Sequence, residues 1–190
     1  MFTKKNKYFL FIENIKDIDL KNIKIRNKFS IIYRTNKNID NLNDLLIFRR
    51  KCKLKGIKLY IANNNNLAVS LNSDGIYLSS FNTNLSSLNL IKSNFEIIGS
   101  AHNFKEILLK KKQGCSFILL SKLFIVDYDK KAPYLGVVKF NNLSKISKKI
   151  IPLGGIKTGN LNSLRNITSE GLAILSEVKK KPANIINRLF

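Results

Sequence analysis

The chain has 190 residues, of which 44% are hydrophobic and 24% charged, and no linker or low-complexity tract divides it, so a single domain over residues 1–190 is expected. Its two cysteines are too few for a disulfide framework, which excludes a disulfide-rich secreted domain and favours the cytoplasm. The apolar run YFLFI near the N-terminus is too short for a signal peptide or a membrane span, and no membrane partner is expected.

The net charge is unusually high, because 34 Lys and Arg residues stand against 12 Asp and Glu, a formal charge of +22. A polyanionic partner such as nucleic acid is one explanation. The other is an A/T-rich genome, whose codons favour Lys, Asn and Ile. The basic residues are spread along the whole chain, without zinc-ligand spacing or an RNA-binding aromatic motif. Nucleic-acid binding is therefore the less favoured interpretation, and RRKCKLK at 49–55 is its best local support.

Short apolar runs rich in β-forming residues recur along the chain. Most are continuously hydrophobic and do not alternate with polar residues, which is typical of strands buried on both faces of a parallel sheet. The predicted strands are 8–13, 29–34, 58–63, 75–80, 95–101, 116–124, 149–155 and 171–177.

Segments with helical periodicity lie between several of these strands. Asn103, followed by Glu106 and a terminal Gly114, has the pattern of a capped helix. The predicted helices are 41–56, 84–94, 103–114 and 160–171; the first crossover, 14–23, is thin, and the tail at 179–190 is expected to supply the last helix, with Pro182 in its first turn.

Repeated strand–helix units connected by right-handed crossovers predict an α/β fold. About eight such units indicate a closed (β/α)8 TIM barrel. Because 190 residues is just below the usual lower limit of about 200 for this fold, we expect short or missing helices. An open doubly wound sheet with fewer strands is the alternative.

A glycine pair closes the seventh apolar run, KIIPLGG at 149–155. In a (β/α)8 barrel, the loops after the seventh and eighth strands often hold a phosphate group. Gly154 and Gly155 would expose backbone N–H groups to an anion, and Ser176 would place a hydroxyl at the same rim. The pattern predicts a phosphate site, and a tight turn that requires positive φ is the alternative.

Several motifs resemble the thiamine phosphate synthase/TenI family. PLGGIKTGNLNSL (152–164) followed by EGLAILSEV (170–178) is similar to the family's IGGI-T-x-x-N run and the GVAVVS-like strand after it. The resemblance covers most of the chain from the second strand onward. Residues 29–37, 61–80, 97–107 and 122–136 are similar to its QLREK strand, its IINDRVDLALALGADGVHLGQ and IIGVSAHTLEEA runs, and its GPVFPT-x-T-K-x-x-APPLG loop.

The resemblance implies a (β/α)8 barrel that acts in thiamine biosynthesis. The synthase branch joins hydroxymethylpyrimidine diphosphate to thiazole phosphate and releases pyrophosphate. The TenI branch includes a tautomerase that moves a proton on carboxythiazole phosphate. A non-catalytic relative that only binds phosphate is a further alternative. The expected partners are phosphorylated thiazole and pyrimidine molecules, and a homo-oligomer is left open.

The resemblance also implies a magnesium ion, held in the synthases by two aspartates. Here Asn63 and Asn82 occupy those positions, and both side chains are neutral. Within the QLREK strand the arginine is retained as Arg34, and Asn36 stands where the family has lysine. Lys130, or its neighbour in sequence, is expected to replace the lysine of the Thr-x-Thr-Lys loop.

The expected site residues fall into catalytic candidates and binding candidates. Arg34 and His102 are the candidate catalytic residues. His102 aligns with the proton-transfer base of the tautomerase branch, although synthases that do not use a base there also carry this histidine. Arg34 is expected to bind an anion, with a solvated surface residue as the alternative. The substrate- and phosphate-binding candidates are Arg34, Asn36, Asn63, Ser100, Lys130, Gly154, Gly155, Leu175 and Ser176.

Overall fold

The eight predicted strands form a closed parallel barrel in sequence order, in which the last strand pairs with the first. The computed structural model describes residues 7–35, 39–91, 95–147, 149–175 and 178. Closure confirms the (β/α)8 TIM barrel and excludes the open doubly wound sheet. The strands are β1 (Lys7–Ile12), β2 (Phe29–Tyr33), β3 (Lys58–Ala62), β4 (Gly75–Leu78), β5 (Glu96–Ala101), β6 (Phe117–Ser121), β7 (Ile150–Leu153) and β8 (Gly171–Ile174).

Alternate side chains of each strand fill two separate parts of the core. In β1, Phe9 and Phe11 belong to one buried cluster, whereas Leu10 and Ile12 belong to another. The second cluster packs the outer face of the strands against the helices. The first draws on strands around the whole barrel and fills its interior, as in other small barrels. Its members are Phe9, Phe11, Ile32, Tyr60, Tyr77, Ile98, Phe117, Leu119, Ile151, Leu153 and Ala173.

Short helices connect several strands. In the described part of the chain the α-helices are α1 (Leu42–Leu54), α2 (Asn65–Ser70), α3 (Leu88–Ile91), α4 (Phe104–Lys112) and α5 (Gly136–Ser144). Asn41, Asn64 and Asn103 cap α1, α2 and α4, because each side chain accepts a hydrogen bond from a backbone N–H in the first helical turn. The helices α1 and α4 confirm the predicted helices 41–56 and 103–114.

The first crossover is as thin as predicted, with two 3₁₀ helices, Ile15–Asp17 and Leu20–Asn22, in place of an α-helix. The predicted helix at 160–171 is a 3₁₀ helix at Thr158–Asn166. Its residues include Gly159, which weakens an α-helix, and several Asn, Ser and Thr side chains that compete for backbone hydrogen bonds.

The predicted helix at 84–94 contains only the single turn of α3, and the sequence did not predict α2 and α5. The expected last helix at 179–190 lies outside the described residues. Among the described helices, none is long and apolar enough to cross a membrane.

Candidate active site

A cavity of about 190 Å³ opens at the carboxyl ends of the strands, the end at which (β/α)8 barrels carry their functional sites. Its described lining comes from the ends of the strands and the loops that follow them. Asn63, Asn82 and Lys130 are not part of this lining, and Asn36 and Ser176 lie outside the described residues. Of the site residues predicted from the sequence, the cavity brings together Arg34, Ser100, His102, Gly154, Gly155 and Leu175.

The lining carries positive charge. Arg34 follows β2, and Lys122 follows β6 on another side of the barrel mouth. No Asp or Glu side chain is found among the described lining residues. Cations that line a concave site without acidic residues in the same lining give it a positive potential, which attracts anions. The cavity is therefore suited to an anionic ligand.

The lysine in the cavity is Lys122 and not the expected Lys130, which is exposed to solvent outside it. The Nζ atom of Lys122 lies 3.9 Å from Oδ2 of Asp129 and 5.5 Å from the centroid of the Tyr128 ring. Lys122 lies inside the sixth apolar run, 116–124, and is not among the site residues predicted from the sequence. The signal that marks it is a charged residue interrupting an apolar run at the point where the strand ends.

The glycine pair after β7 has the backbone conformation that was the alternative to a phosphate site. Gly154 has φ +93° and Gly155 has φ +69°, a region that residues with a side chain rarely adopt. A Cβ atom on Gly155 would lie 2.5 Å from the carbonyl oxygen of Phe124 and 2.6 Å from that of Ile125. What approaches the backbone here is the loop after β6.

Gly154 makes room for Lys122. A Cβ atom on Gly154 would lie 3.2 Å from Cα and 3.4 Å from Cβ of Lys122. The same loop is tied to β7 by two backbone hydrogen bonds, from Leu123 N–H to the Leu153 carbonyl (2.8 Å) and from Phe124 N–H to the Gly154 carbonyl (3.1 Å). The glycine pair thus positions the lysine of the cavity, and its role in binding phosphate stays a prediction.

His102 follows β5 and forms a pair with Glu106 of α4. Its Nδ1 atom lies 3.0 Å from Oε2 of Glu106, which also accepts the His102 backbone N–H at 2.8 Å. An ionised carboxylate has no proton to donate and can act only as a hydrogen-bond acceptor. Nδ1 therefore carries the proton in this pair, and Nε2 is the proton acceptor. The His102 side chain is 48% exposed, which leaves it accessible at the mouth of the cavity.

Neutral hydroxyl groups complete the lining. Tyr77 of β4 and Ser100 of β5 both line the cavity. Burial raises the pKa of Tyr77 above its ordinary value, although the neighbouring Ser100 hydroxyl and the charge of Arg34 oppose this rise. Tyr77 therefore keeps its proton at neutral pH and adds no negative charge to the cavity.

The two asparagines at the expected magnesium positions contact each other. Oδ1 of Asn63 accepts hydrogen bonds from the Ser79 N–H (3.0 Å), the Ser79 hydroxyl (3.1 Å) and Nδ2 of Asn82 (3.1 Å). Magnesium prefers carboxylate and carbonyl oxygens in octahedral geometry. Here the available oxygen already accepts three hydrogen bonds, and its neighbour presents an NH₂ group. As arranged, these two side chains do not fit a magnesium ion.

No other group in the described ranges offers an evident metal site. Clusters of three or more His, Cys, Asp or Glu side chains that could hold a metal ion are absent from this part of the chain.

Thiamine-phosphate synthases are among the known proteins that this chain resembles in sequence. The thiamine-phosphate synthase of Prochlorococcus marinus (strain AS9601) is 27% identical over 170 residues, which cover 88% of this chain and 47% of that protein. The thiamine-phosphate synthase of Flavobacterium psychrophilum is 27% identical over 151 residues, 74% of this chain and 73% of that protein. The chain thus spans about half the length of the first relative and about three quarters of the second.

Solved structures support the fold. Thiamine phosphate pyrophosphorylase from Pyrococcus furiosus superposes with a TM-score of 0.75 at 15% identity, covering 98% of this chain and 96% of that chain. The 3-keto-L-gulonate-6-phosphate decarboxylase of Vibrio cholerae gives a TM-score of 0.65 at 12% identity, covering 98% and 99%. At these identities the likeness concerns the barrel alone.

Membership of a family is shown by the sequence itself. The family model described as thiamine monophosphate synthase, TMP-TENI, matches residues 5–178, which is nearly the whole chain. The chain belongs to the thiamine monophosphate synthase/TenI family, as the resemblance of its motifs predicted.

Proposed function

We propose that this chain acts in thiamine biosynthesis as a thiamine phosphate synthase, joining hydroxymethylpyrimidine diphosphate to thiazole phosphate. The observation that carries the proposal is the cationic cavity at the carboxyl ends of the strands in a chain of this family. Both substrates bear phosphate groups, which are the anions that such a cavity attracts.

The proposed reaction gives roles to Arg34, Ser100 and the glycine loop. The bond between the pyrimidine methylene carbon and a diphosphate oxygen breaks, and the thiazole nitrogen forms a bond to that carbon. Negative charge develops on the departing pyrophosphate, so fixed cations beside it lower the barrier. In this proposal Arg34 lies against the departing group, while Ser100 and the loop at Gly154 and Gly155 hold the thiazole phosphate.

Proton transfer on a thiazole phosphate is the second candidate function. The observation that favours it is the His102–Glu106 pair, in which the carboxylate fixes Nδ1–H and leaves Nε2 as a base at the cavity mouth. A histidine oriented in this way is suited to removing a proton near neutral pH.

The first test is an end-point assay on purified protein with hydroxymethylpyrimidine diphosphate, thiazole phosphate and Mg²⁺. We expect thiamine phosphate, detected by chromatography, and a loss of about tenfold or more in rate for Arg34→Ala, because one charge-assisted contact to the departing group is removed. Arg50→Ala is the matched control, since Arg50 is exposed on α1 away from the cavity. Folded protein that yields no product contradicts the synthase proposal.

The second candidate is tested by proton exchange. Carboxythiazole phosphate is incubated with the protein in D₂O, and deuterium incorporation is followed by NMR. Catalysed exchange that His102→Asn abolishes and Lys105→Gln leaves intact supports proton transfer, because Lys105 is an exposed residue of the same helix as Glu106. Exchange no faster than in buffer rejects this function.

The cellular setting is part of the proposal. The two cysteines, Cys52 and Cys115, are free, which supports the cytoplasm as the location. The barrel uses strands from Lys7 to Ile174, which supports one domain over residues 1–190. Homo-oligomerisation remains open, and gel filtration with light scattering measures it.

A further inference from the structure

We infer that this cavity binds its phosphorylated ligand without a divalent cation held by the protein, and that Lys122 provides positive charge there instead. The inference deepens the proposed function and rests on its assignment of a phosphorylated ligand. Two independent features carry it: the hydrogen-bonded pair Asn63–Asn82 and the position of Lys122.

The orientation of both asparagine amides is fixed by backbone donors. Oδ1 of Asn63 accepts the Ser79 N–H at 3.0 Å, so this atom must be the carbonyl oxygen. Oδ1 of Asn82 accepts the Asn84 N–H at 3.0 Å, which leaves Nδ2 to donate to Asn63 at 3.1 Å. A cation placed between the two side chains would therefore meet the hydrogens of an NH₂ group.

Two carboxylates at these positions would favour a bound cation, in contrast to the two amides. Two carboxylate oxygens about 3 Å apart repel each other, and a bound cation relieves that repulsion. The amide pair has no net charge and satisfies itself through a hydrogen bond. The two asparagine side chains of this chain therefore need no bound ion to hold them together.

A buried lysine orders the loop that carries Asn82. Lys110 of α4 is fully buried, and its Nζ donates to the carbonyl oxygens of Ser79 and Asn82, both at 2.7 Å, and to Oε1 of Gln113 at 2.8 Å. Loop carbonyls that no helix satisfies are bound here by an ammonium group. The loop at 79–82 is therefore held in place by the protein's own cation.

Lys122 is available to an anion. Its contact with Asp129 is long, 3.9 Å, and the Asp129 side chain is 50% exposed, so this pair is weak and easily displaced. The stem of Lys122 packs on Gly154, which fixes its place at the rim.

The first arm of the test measures the metal on ligand-free protein. Mn²⁺ replaces Mg²⁺, and electron paramagnetic resonance quantifies the free ion. We expect no bound Mn²⁺ for the wild type and one bound ion for the double variant Asn63→Asp with Asn82→Asp. The single variant Asn82→Asp, which also restores an acidic ligand, serves if the double variant does not fold. A stoichiometric Mn²⁺ site in the wild type that Asn63→Ala removes would overturn the inference.

The second arm measures the anion in the presence of EDTA. Inorganic pyrophosphate is titrated while the melting temperature is recorded. We expect stabilisation of the wild type, an affinity about tenfold lower for Lys122→Gln, and no change for Lys139→Gln, an exposed lysine on α5. Lys130→Gln is compared with Lys122→Gln, and the larger loss must fall on Lys122. Pyrophosphate that binds only with Mg²⁺, or not at all, contradicts the inference.

The two proposals fail separately. Pyrophosphate binding in EDTA that depends on Lys122, with no thiamine phosphate formed, supports the metal-independent site and rejects synthase activity. Thiamine phosphate formation with a protein-bound Mn²⁺ supports the synthase and rejects the metal-independent site.

Discussion

Charged side chains at the two ends of the barrel differ in their partners. At the amino ends of the strands, the carboxylate of Glu96 accepts hydrogen bonds from Lys58 Nζ (2.7 Å), the Tyr60 hydroxyl (2.6 Å) and the Ser116 hydroxyl (2.8 Å). These groups come from β3, β5 and the residue before β6, so the network ties neighbouring strands together. The charge of this carboxylate is satisfied within the protein.

At the carboxyl ends of the strands, two cations line a cavity. Arg34 and Lys122 line the cavity, and none of its described lining residues is acidic. Within the described residues, the Glu96 network pairs charge between strands at the amino ends, whereas Arg34 and Lys122 at the carboxyl ends have no comparably close carboxylate. Substitutions at the two ends should therefore affect different properties.

The largest effect on stability is expected from Gly155→Ala at the carboxyl ends of the strands. The new Cβ atom must adopt φ +69° and would lie 2.5 Å from the Phe124 carbonyl oxygen. Conformational strain and the displaced loop together should lower the free energy of unfolding by about 3 kcal/mol. Urea denaturation followed by circular dichroism measures the loss.

Gly159→Ala is the matched control for this glycine. A Cβ atom on Gly159 would meet no atom within 4 Å, and the backbone there has no positive φ, so we expect a change of less than about 0.5 kcal/mol. Equal losses in the two variants would show that the close approach of the loop after β6 does not stabilise the rim.

A smaller, pH-dependent effect is expected from Glu96→Gln at the amino ends of the strands. Burial raises the pKa of Glu96, but hydrogen bonds from Lys58, Tyr60 and Ser116 lower it by a larger amount. The net result is a pKa below the ordinary value. A carboxyl group with a lowered pKa stabilises the fold above its unfolded pKa, and this stabilisation is lost as the pH falls through the folded value.

The glutamine variant should remove this dependence. At neutral pH we expect it to lose about 1–2 kcal/mol, the usual contribution of a charge-assisted hydrogen bond. The difference from the wild type should shrink as the pH falls below the ordinary glutamate pKa, because the wild-type carboxyl becomes neutral as well. Denaturant titrations over a pH series measure it, and a constant difference at every pH would exclude the ionised network as the cause.

The strands were predictable because their sequence signal is local. Continuous apolar runs such as KLYIAN mark buried parallel strands without reference to other parts of the chain. The two unpredicted helices lack such a signal. α2 has six residues, and α5 contains Val137, Val138 and two asparagines, which are poor helix formers. Tertiary packing, and not propensity, decides these segments.

The resemblance of the motifs to the family named Arg34, Ser100 and His102, and the structure places all three in one cavity at the carboxyl ends of β2 and β5. Their roles stay predictions. Sequence spacing could not show which of Lys122 and Lys130 lies in the cavity. The loop turns back between Val126 and Asp129, which form an antiparallel bridge. Likewise, the sequence shows that Asn63 and Asn82 are neutral, but only the hydrogen-bond directions show that they bind each other.

The smallest effect on stability, and the most direct comparison of the two ends, comes from two lysines. Lys58→Met removes a donor to Glu96, and we expect a loss of up to about 1 kcal/mol in the free energy of unfolding, because the Lys58 side chain is 53% exposed and its ion pair is partly screened. Lys122→Met should change that free energy by less than about 0.5 kcal/mol, since its contact with Asp129 is weak.

Pyrophosphate binding should respond in the opposite order, with Lys58→Met unchanged and the salt dependence of binding reduced only in Lys122→Met. If both lysines contributed to stability alone, the charge at the carboxyl ends of the strands would belong to the fold and not to a ligand.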